Sequence, residues 1–252
     1  DLISNEPITV VLSEKGWIRA ARGHDADPRE LSYRGGDKYS DAARGRTNDI
    51  LVFLDSFGRS YTVAPHTLPS ARGQGEPLTG RFKPAAGARF VGLAMGSSST
   101  RVLLASNAGY GFIGSLDEMT TKNRAGKACL SVPKGGTSLP PVMVNTEREQ
   151  QVVAVTNTGR MLIFPLADVP ELSRGKGNKL LNIPSKTFRA GEEFLVAVAV
   201  IGQNDDLLVL AGLRHLRMKS KDLENYVGER ARRGRKLPRG FQRVDSLAVE
   251  SR

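Results

Sequence analysis

Cysteine is almost missing from this chain: Cys129 is the only one among 252 residues. No disulfide framework can form within it, which fits a reducing compartment. Beside Leu130 and Val132, Cys129 reads as a core residue. Long apolar runs are also missing. The longest, residues 194–202, falls far short of the roughly 20 residues that a membrane-spanning helix needs, and it reads as a buried strand. The three histidines, His24, His66 and His215, share no metal-ligand spacing with one another or with Cys129. Aromatic residues make up 6% of the chain and lack the clustering that stacks single-stranded bases. No GxSxG, P-loop or Ser/His/Asp arrangement occurs. Asp25, Asp27, Asp117 and Glu118 are scattered and read as solvated. Long amphipathic helices are absent. Together these gaps argue against a propeller-type enzyme, which would need converging carboxylates or metal ligands.

What is present is positive charge and repetition. Thirty-seven Lys and Arg face 26 Asp and Glu, a formal net charge of +11. A domain this basic meets a polyanion, either nucleic acid or an anionic membrane surface. Residues 152–179 read VVAVTNTGRMLIFPLADVPELSRGKGNK. An apolar run, an Asn/Gly turn and a second apolar run form a β-hairpin signal. A short connector follows, with room for one helical turn around Leu166, Val169 and Leu172, and then a Gly/Lys/Arg loop. The same unit occurs at residues 51–75 and 102–126. Loop glycines stand at 75, 126 and 177, two equal intervals of 51. A period near 50 marks a repeat architecture.

The spacing predicts about five units of four short strands each, an all-β, propeller-like disc in one domain spanning 1–252. Further strands are expected near residues 78–82 and 90–95, 128–132 and 142–145, and 180–183 and 194–200. A first unit starts at Ile8 and carries a polar insertion before the sequence Ala43-Arg44-Gly45-Arg46. A fifth has strands at 207–210 and 216–218, with Leu213 where the turn glycine stood. The last strand, 246–249, is free to close the ring on the first unit or to leave an open spiral. Trp17, Tyr61, Phe112 and Phe164 fall on second strands and read as packing between units.

The repeated loops are the candidate site. Arg44 and Arg46, Arg72, Arg124 and Lys127, Arg174, Lys176 and Lys179, and the run Arg230, Arg232, Arg233, Arg235 and Lys236 occupy equivalent places in the repeat. In a radial array such places share one rim, so the loops predict a positive belt. Arginine grips phosphate bidentately, and a curved belt would bend duplex DNA against a cost of several kcal/mol. Leu237, Phe241, Val244 and Leu247 interrupt the last basic run, so part of it is expected to pack.

The chain resembles the C-terminal domains of the A subunits of bacterial type IIA topoisomerases. The carrying stretches are Gly16-Trp17-Ile18-Arg19, Asp55-Ser56-Phe57-Gly58-Arg59-Ser60-Tyr61, the segment 67–80 (TLPSARGQGEPLTG), Asn123-Arg124-Ala125-Gly126-Lys127, Gly159-Arg160-Met161-Leu162, the segment 172–179 (LSRGKGNK) and Gly228-Glu229-Arg230. The resemblance implies a β-pinwheel that binds and bends duplex DNA and presents the transported segment for ATP-dependent decatenation and relaxation. It further implies no cofactor in this domain. Mg²⁺ and the catalytic tyrosine would lie in a preceding part of a longer chain, and ATP would bind the other protein of a heterotetramer, the B subunit. The chain opens at Asp1 without a signal peptide, which fits such a C-terminal piece. It would be monomeric when isolated, cytoplasmic and nucleoid-associated, with peripheral contact at the inner membrane face. The gyrase heptapeptide QRRGGKG does not occur; residues 42–46 and 70–75 are its nearest relatives. That favours the topoisomerase IV branch over a divergent gyrase wrapping domain. The rival from another class, a propeller scaffold for an acidic protein, would call for clustered apolar residues on one exposed face.

Overall fold

The computed structural model describes residues 4–251, so positions 1–3 and 252 of the expected domain lie outside it. Its strands are β1 (Pro7–Ser13), β2 (Trp17–Arg22), β3 (Tyr39–Arg46), β4 (Ile50–Asp55), β5 (Arg59–Val63), β6 (Glu76–Pro77) and β7 (Phe90–Gly96). Next come β8 (Arg101–Ala105), β9 (Tyr110–Ser115), β10 (Lys127–Ala128), β11 (Val142–Val144), β12 (Gln151–Thr156) and β13 (Arg160–Pro165). The last are β14 (Asn178–Lys179), β15 (Leu195–Ile201), β16 (Asp206–Ala211), β17 (Arg214–Met218), β18 (Arg235–Lys236) and β19 (Ser246–Glu250). They form five antiparallel sheets, ordered β3-β1-β2-β6, β7-β4-β5-β10, β11-β8-β9-β14, β15-β12-β13-β18 and β19-β16-β17. The fold is a five-bladed, all-β, propeller-like disc, as the period predicted. The fifth blade has three strands rather than the expected four.

The order of the strands explains the difference. In each complete blade the fourth strand comes from the chain that has already built the next blade's hairpin. Thus β6 follows the hairpin β4-β5 but pairs with β2 of blade one. The pattern repeats for β10 on β5, β14 on β9 and β18 on β13. Blade five is followed by no further hairpin among the described residues, and β17 keeps a bare outer edge. For the last strand two arrangements were open, closure onto the first unit or an open spiral. β19 pairs with β16 and completes the inner side of blade five, not blade one.

Each hairpin turns on the same local chemistry. In blades one to four the turn glycine N–H donates to the carbonyl three residues back, for example Gly58 to Asp55 at 3.1 Å and Gly159 to Thr156 at 3.0 Å. In blades one, two and four the side chain at the end of the first strand then accepts the N–H that opens the second. Ser13 takes Trp17 at 3.0 Å, Asp55 takes Arg59 at 3.0 Å, and Thr156 takes Arg160 at 3.1 Å. This is a type I turn closed by a left-handed glycine. Blade five turns instead at Gly212 and Leu213, with Leu213 fully exposed.

The apolar core lies between blades as four separate layers. One joins blades one and two around Phe53, Tyr61 and Leu78, and the next joins two and three around Phe112 and Leu130. The third joins blades three and four around Phe164 and Leu180, and the last joins four and five around Met161 and Leu237. None of the four contains residues of both blade five and blade one. Tyr61, Phe112 and Phe164 are fully buried in these layers, as expected. Trp17 is only half-buried and is covered by Arg34, 4.0 Å above its ring. Cys129 is buried with its thiol 3.1 Å from the Ser60 hydroxyl, and burial pushes its pKa up. Among the described residues no helix is long and apolar enough to cross a membrane.

Candidate nucleic-acid interface

The outer edge of each complete blade is closed by one loop, and its path follows from hydrogen bonding. The incoming chain first runs parallel to the blade's second strand. Ala20 N–H donates to Pro69 O and Ala71 N–H to Ala20 O, both at 2.9 Å. The same approach pairs Ile113 with Glu171 and Ile163 with Val227. The chain then loops outward and returns antiparallel as the short fourth strand. Behind it a leucine N–H is tied to the hairpin glycine carbonyl: Leu78 to Gly16, Leu130 to Gly58, Leu180 to Gly109 and Leu237 to Gly159. These leucines are buried. Segments 78–82, 128–132 and 180–183, expected as strands, are instead apolar plugs that follow two-residue pairings at Glu76–Pro77, Lys127–Ala128 and Asn178–Lys179. Residues Leu78–Gly80 form a 3-10 turn.

The loop glycines that revealed the repeat serve this return. Gly75, Gly126, Gly177 and Gly234 all have φ between 74° and 87°. A Cβ on Gly234 would lie 2.5 Å from Met161 O, and one on Gly126 would lie 2.8 Å from the Tyr61 ring. Only glycine allows both the left-handed turn and the close approach. Their primary role is to seat the loop on the preceding blade, which lifts the flanking cations outward.

The expected site residues separate into four groups. Arg72, Arg174 and Arg235 lie on the outer edges of blades one, three and four, and their guanidinium groups are exposed without a partner among the described residues. Arg124, Lys127, Lys179, Arg232 and Lys236 are on the same edges but bonded locally. Arg124 donates to Arg81 O at 3.0 Å, Lys127 to Glu118 O at 2.6 Å and Lys236 to Thr158 O at 2.9 Å. Lys179 donates to Asn182 Oδ1 at 2.9 Å, Arg232 pairs with exposed Glu229 at 3.1 Å, and Lys176 caps the Tyr110 ring at 4.3 Å. Arg230 and Arg233 are half-buried and structural. Arg230 donates to Lys179 O at 2.7 Å. Arg233 bonds Asn182 O at 2.7 Å and buried Glu193 at 2.6 Å. Arg44 and Arg46 do not belong to the outer edge at all. They lie in β3, the inner strand of blade one, and their side chains donate to His24 O and Asn5 O. The Gly/Arg composition of residues 43–46 imitates the loops, but the insertion before it displaces it from the repeat position.

Sequence reading passed over three residues of this edge. Lys122 in the loop on blade two is exposed and unpartnered. Arg59 and Arg160, each directly after a hairpin glycine, clamp the incoming loop. Arg59 donates to Ala125 O at 2.9 Å and Gly126 O at 2.8 Å, and Arg160 donates to Gly234 O at 3.3 Å. The shared Gly-Arg dipeptide was a usable signal for both. Each complete blade thus presents at least one unpartnered cation at its outer edge: Arg72, Lys122, Arg174 and Arg235. The edge offers point and forked donors of the kind that phosphate oxygens accept. Among the described residues no group of three or more His, Cys, Asp or Glu could hold a metal ion.

Residues 150–201 match the family model described as DNA gyrase C-terminal domain, beta-propeller. Over 250 residues the chain is 50% identical to the A protein of DNA topoisomerase 4 from Pseudomonas aeruginosa, covering 99% of this chain and 33% of that protein. Identity to the corresponding protein of Escherichia coli K12 is 43% over 251 residues, 100% of this chain and 33% of that protein. The solved E. coli ParC C-terminal domain superposes with a TM-score of 0.81 at 44% identity, covering 98% of this chain and 100% of that one. The chain belongs to the family of C-terminal domains of topoisomerase IV A subunits. It spans about a third of the length of the full-length relatives. A gyrase A C-terminal domain structure shares the fold, with a TM-score of 0.71 at 15% identity over 98% of this chain and 83% of that one. As a topoisomerase IV domain, the chain carries at its outer edge degenerate loops such as residues 70–75 (SARGQG) and 172–177 (LSRGKG).

Proposed function

We propose that this domain is a non-catalytic duplex-DNA clamp that bends the double helix along blades one to four. It would thereby help a topoisomerase IV holoenzyme capture and present the transported segment. The observation that carries this reading is the unpartnered cation on each complete blade, Arg72, Lys122, Arg174 and Arg235, set on successive outer edges of one disc. Phosphate contacts of this kind are independent of base sequence and release counterions. The parent protein would belong to an ATP-driven type II topoisomerase. Its catalytic tyrosine and Mg²⁺ would lie in the preceding part of the chain, and its ATP site on the B subunit of a heterotetramer. Its place is the cytoplasm, on the nucleoid, where it would serve decatenation in chromosome segregation. Contact with the inner membrane face would be peripheral.

The test is binding of the isolated domain to a duplex of about 40 base pairs, titrated in salt, with end-to-end energy transfer as the bend readout. Tight binding that collapses with salt and shortens the end-to-end distance supports the clamp. In Arg72→Ala/Arg174→Ala the slope of log K against log salt should fall by about 2. A wild type that ignores duplex DNA at low salt would assign the basic edge to an acidic protein instead.

A further inference from the structure

Beyond the outer edge, positive charge converges at a second place. At the hairpin end of blade three a shallow cavity of about 190 Å³ is lined by Tyr110, Lys134, Lys176, Ser185, Phe188 and Arg189, among others. Four separate pieces of chain meet there. Tyr110 opens β9 just past the hairpin tip, and Lys134 lies in the turn before β11. Lys176 comes from the outer loop on blade three, and Ser185 and Arg189 bound the five-residue helix α1 (Ser185–Arg189). Three cations face this cavity, and no carboxylate lines it. Some exposed cations of the chain pair with carboxylates, as Lys38 does with Glu14 and Arg232 with Glu229. Among the described residues the side chains of Lys134 and Arg189 have no hydrogen bond or ion pair, and Lys176 has only the Tyr110 ring face. The hydroxyls of Tyr110 and Ser185 are likewise unused.

Gathering three like charges raises the energy of the empty site, and a bound anion relieves it. Point-charge ammonium groups, a guanidinium fork and two neutral hydroxyl donors suit a tetrahedral oxyanion. We infer that this cavity is a phosphate-binding subsite, and that its ligand is a backbone phosphodiester of the bound duplex. Lys176 belongs to both the outer edge and the cavity, so the two positive regions are continuous. The duplex leaves the edge at blade three and touches the hairpin face of the disc there. The identity of the ligand as DNA rests on the clamp reading above; the cavity's affinity for phosphate does not.

The variant Lys134→Gln/Arg189→Gln tests it, since neither residue is part of the outer-edge set and both side chains are free. A matched control, Arg148→Gln/Lys221→Gln, removes the same charge elsewhere. On a duplex of about 40 base pairs the cavity variant should bind about 10-fold more weakly at moderate salt, with a salt slope smaller by about 2. The control should change little, and both should keep the wild-type melting temperature. Equal losses in the two variants would reduce the effect to net charge and overturn the subsite. In parallel, amide chemical shifts of the wild type are followed during titration with inorganic pyrophosphate. Shifts at residues 110, 134, 185 and 189 that vanish in the cavity variant support a phosphate site even if duplex binding fails. Their absence overturns it, whatever the duplex result.

Discussion

Glu193 shows how a basic sequence can be misread residue by residue. Most cations of the run 229–236 are exposed, yet Arg233 turns inward and meets a buried carboxylate. Glu193 also accepts the Thr158 hydroxyl at 2.9 Å, so both oxygens have donors. Burial pushes the pKa of Glu193 up, but the bonds from Arg233 and Thr158 outweigh it and hold the carboxyl below the usual glutamate range. A folded pKa below the unfolded one means stability that is present above the ordinary glutamate value. That stability is lost as pH falls through the depressed folded value. Glu193→Gln leaves Arg233 half-buried and unpaired. The expected loss is about 2–3 kcal/mol at pH 7, below the full range for a buried pair because Arg233 keeps some exposure. Chemical denaturation at pH 7 and pH 3.5 checks it. The variant's penalty should shrink at the lower pH, where the wild type has begun to lose the same stabilisation. A penalty that is constant with pH would make the effect one of packing.

At the scale of elements, the seam between blades one and two contains a second titrating group. Asp41 on β3 accepts Ala42 N–H at 2.9 Å and Leu93 N–H of β7 at 3.1 Å. Burial against the facing blade raises its pKa to about 7, and the two N–H donors only partly offset that. The unfolded chain therefore loses this proton first, so stability falls as pH rises from about 4 to about 7, by about 1–2 kcal/mol given the partial exposure of Asp41. Asp41→Asn should flatten this limb and melt higher than wild type at pH 8, with little difference at pH 5. A variant that tracks the wild-type pH profile would place the group elsewhere. The outer strands yield a different prediction. Gly177→Ala would strain a backbone at φ 82° and drive a methyl into the Gly111 carbonyl, at about 1–3 kcal/mol from the backbone alone. The measurement is the melting temperature together with DNA affinity. Both should drop, because the loop bearing Arg174 can no longer seat.

The same elements show what the sequence could disclose. Hairpins were legible because alternating apolar runs around an Asn/Gly turn are local signals, and the period followed from glycines that each meet one repeated steric demand. The partner of each fourth strand was not legible. A two-residue pairing such as Asn178–Lys179 has no hydrophobic pattern of its own, and its partner, β9, lies in the preceding blade. Which cations are free was equally hidden. Arg233 and Arg235 are neighbours of the same chemistry, and only the fold sends one to Glu193 and leaves the other in solvent. Arg44 failed for a related reason, since composition without register cannot tell an inner strand from an outer loop.

For the whole molecule, the chain is a short linear array bent toward a circle. Each handover of a fourth strand staples one blade to the next, and an apolar layer fills the seam behind it. Stability is then a sum of blades and nearest-neighbour seams. Blades two, three and four each have two apolar seams. Blade five has one, and its β17 edge receives no strand; Arg217 there is held by Asp206 at 3.3 Å and by Glu250. Opening blade five breaks one seam, whereas opening blade three breaks two and two staples. Amide exchange should therefore be fastest in β16, β17 and β19 and slowest in β8 and β12, with blade one between, since it has one seam but a full set of strands. Duplex DNA lying on the four staples should then slow exchange at the loops 70–75, 121–127, 172–177 and 229–235 while leaving blade five unchanged. The end blade is free to breathe because the track does not cross it, and the middle blades resist bending forces because the charge sits on the staples that join them. Exchange in blade five as slow as in blade three would mean that blades five and one share a seam and the ring is closed. Protection of β17 by DNA would instead extend the track over all five blades.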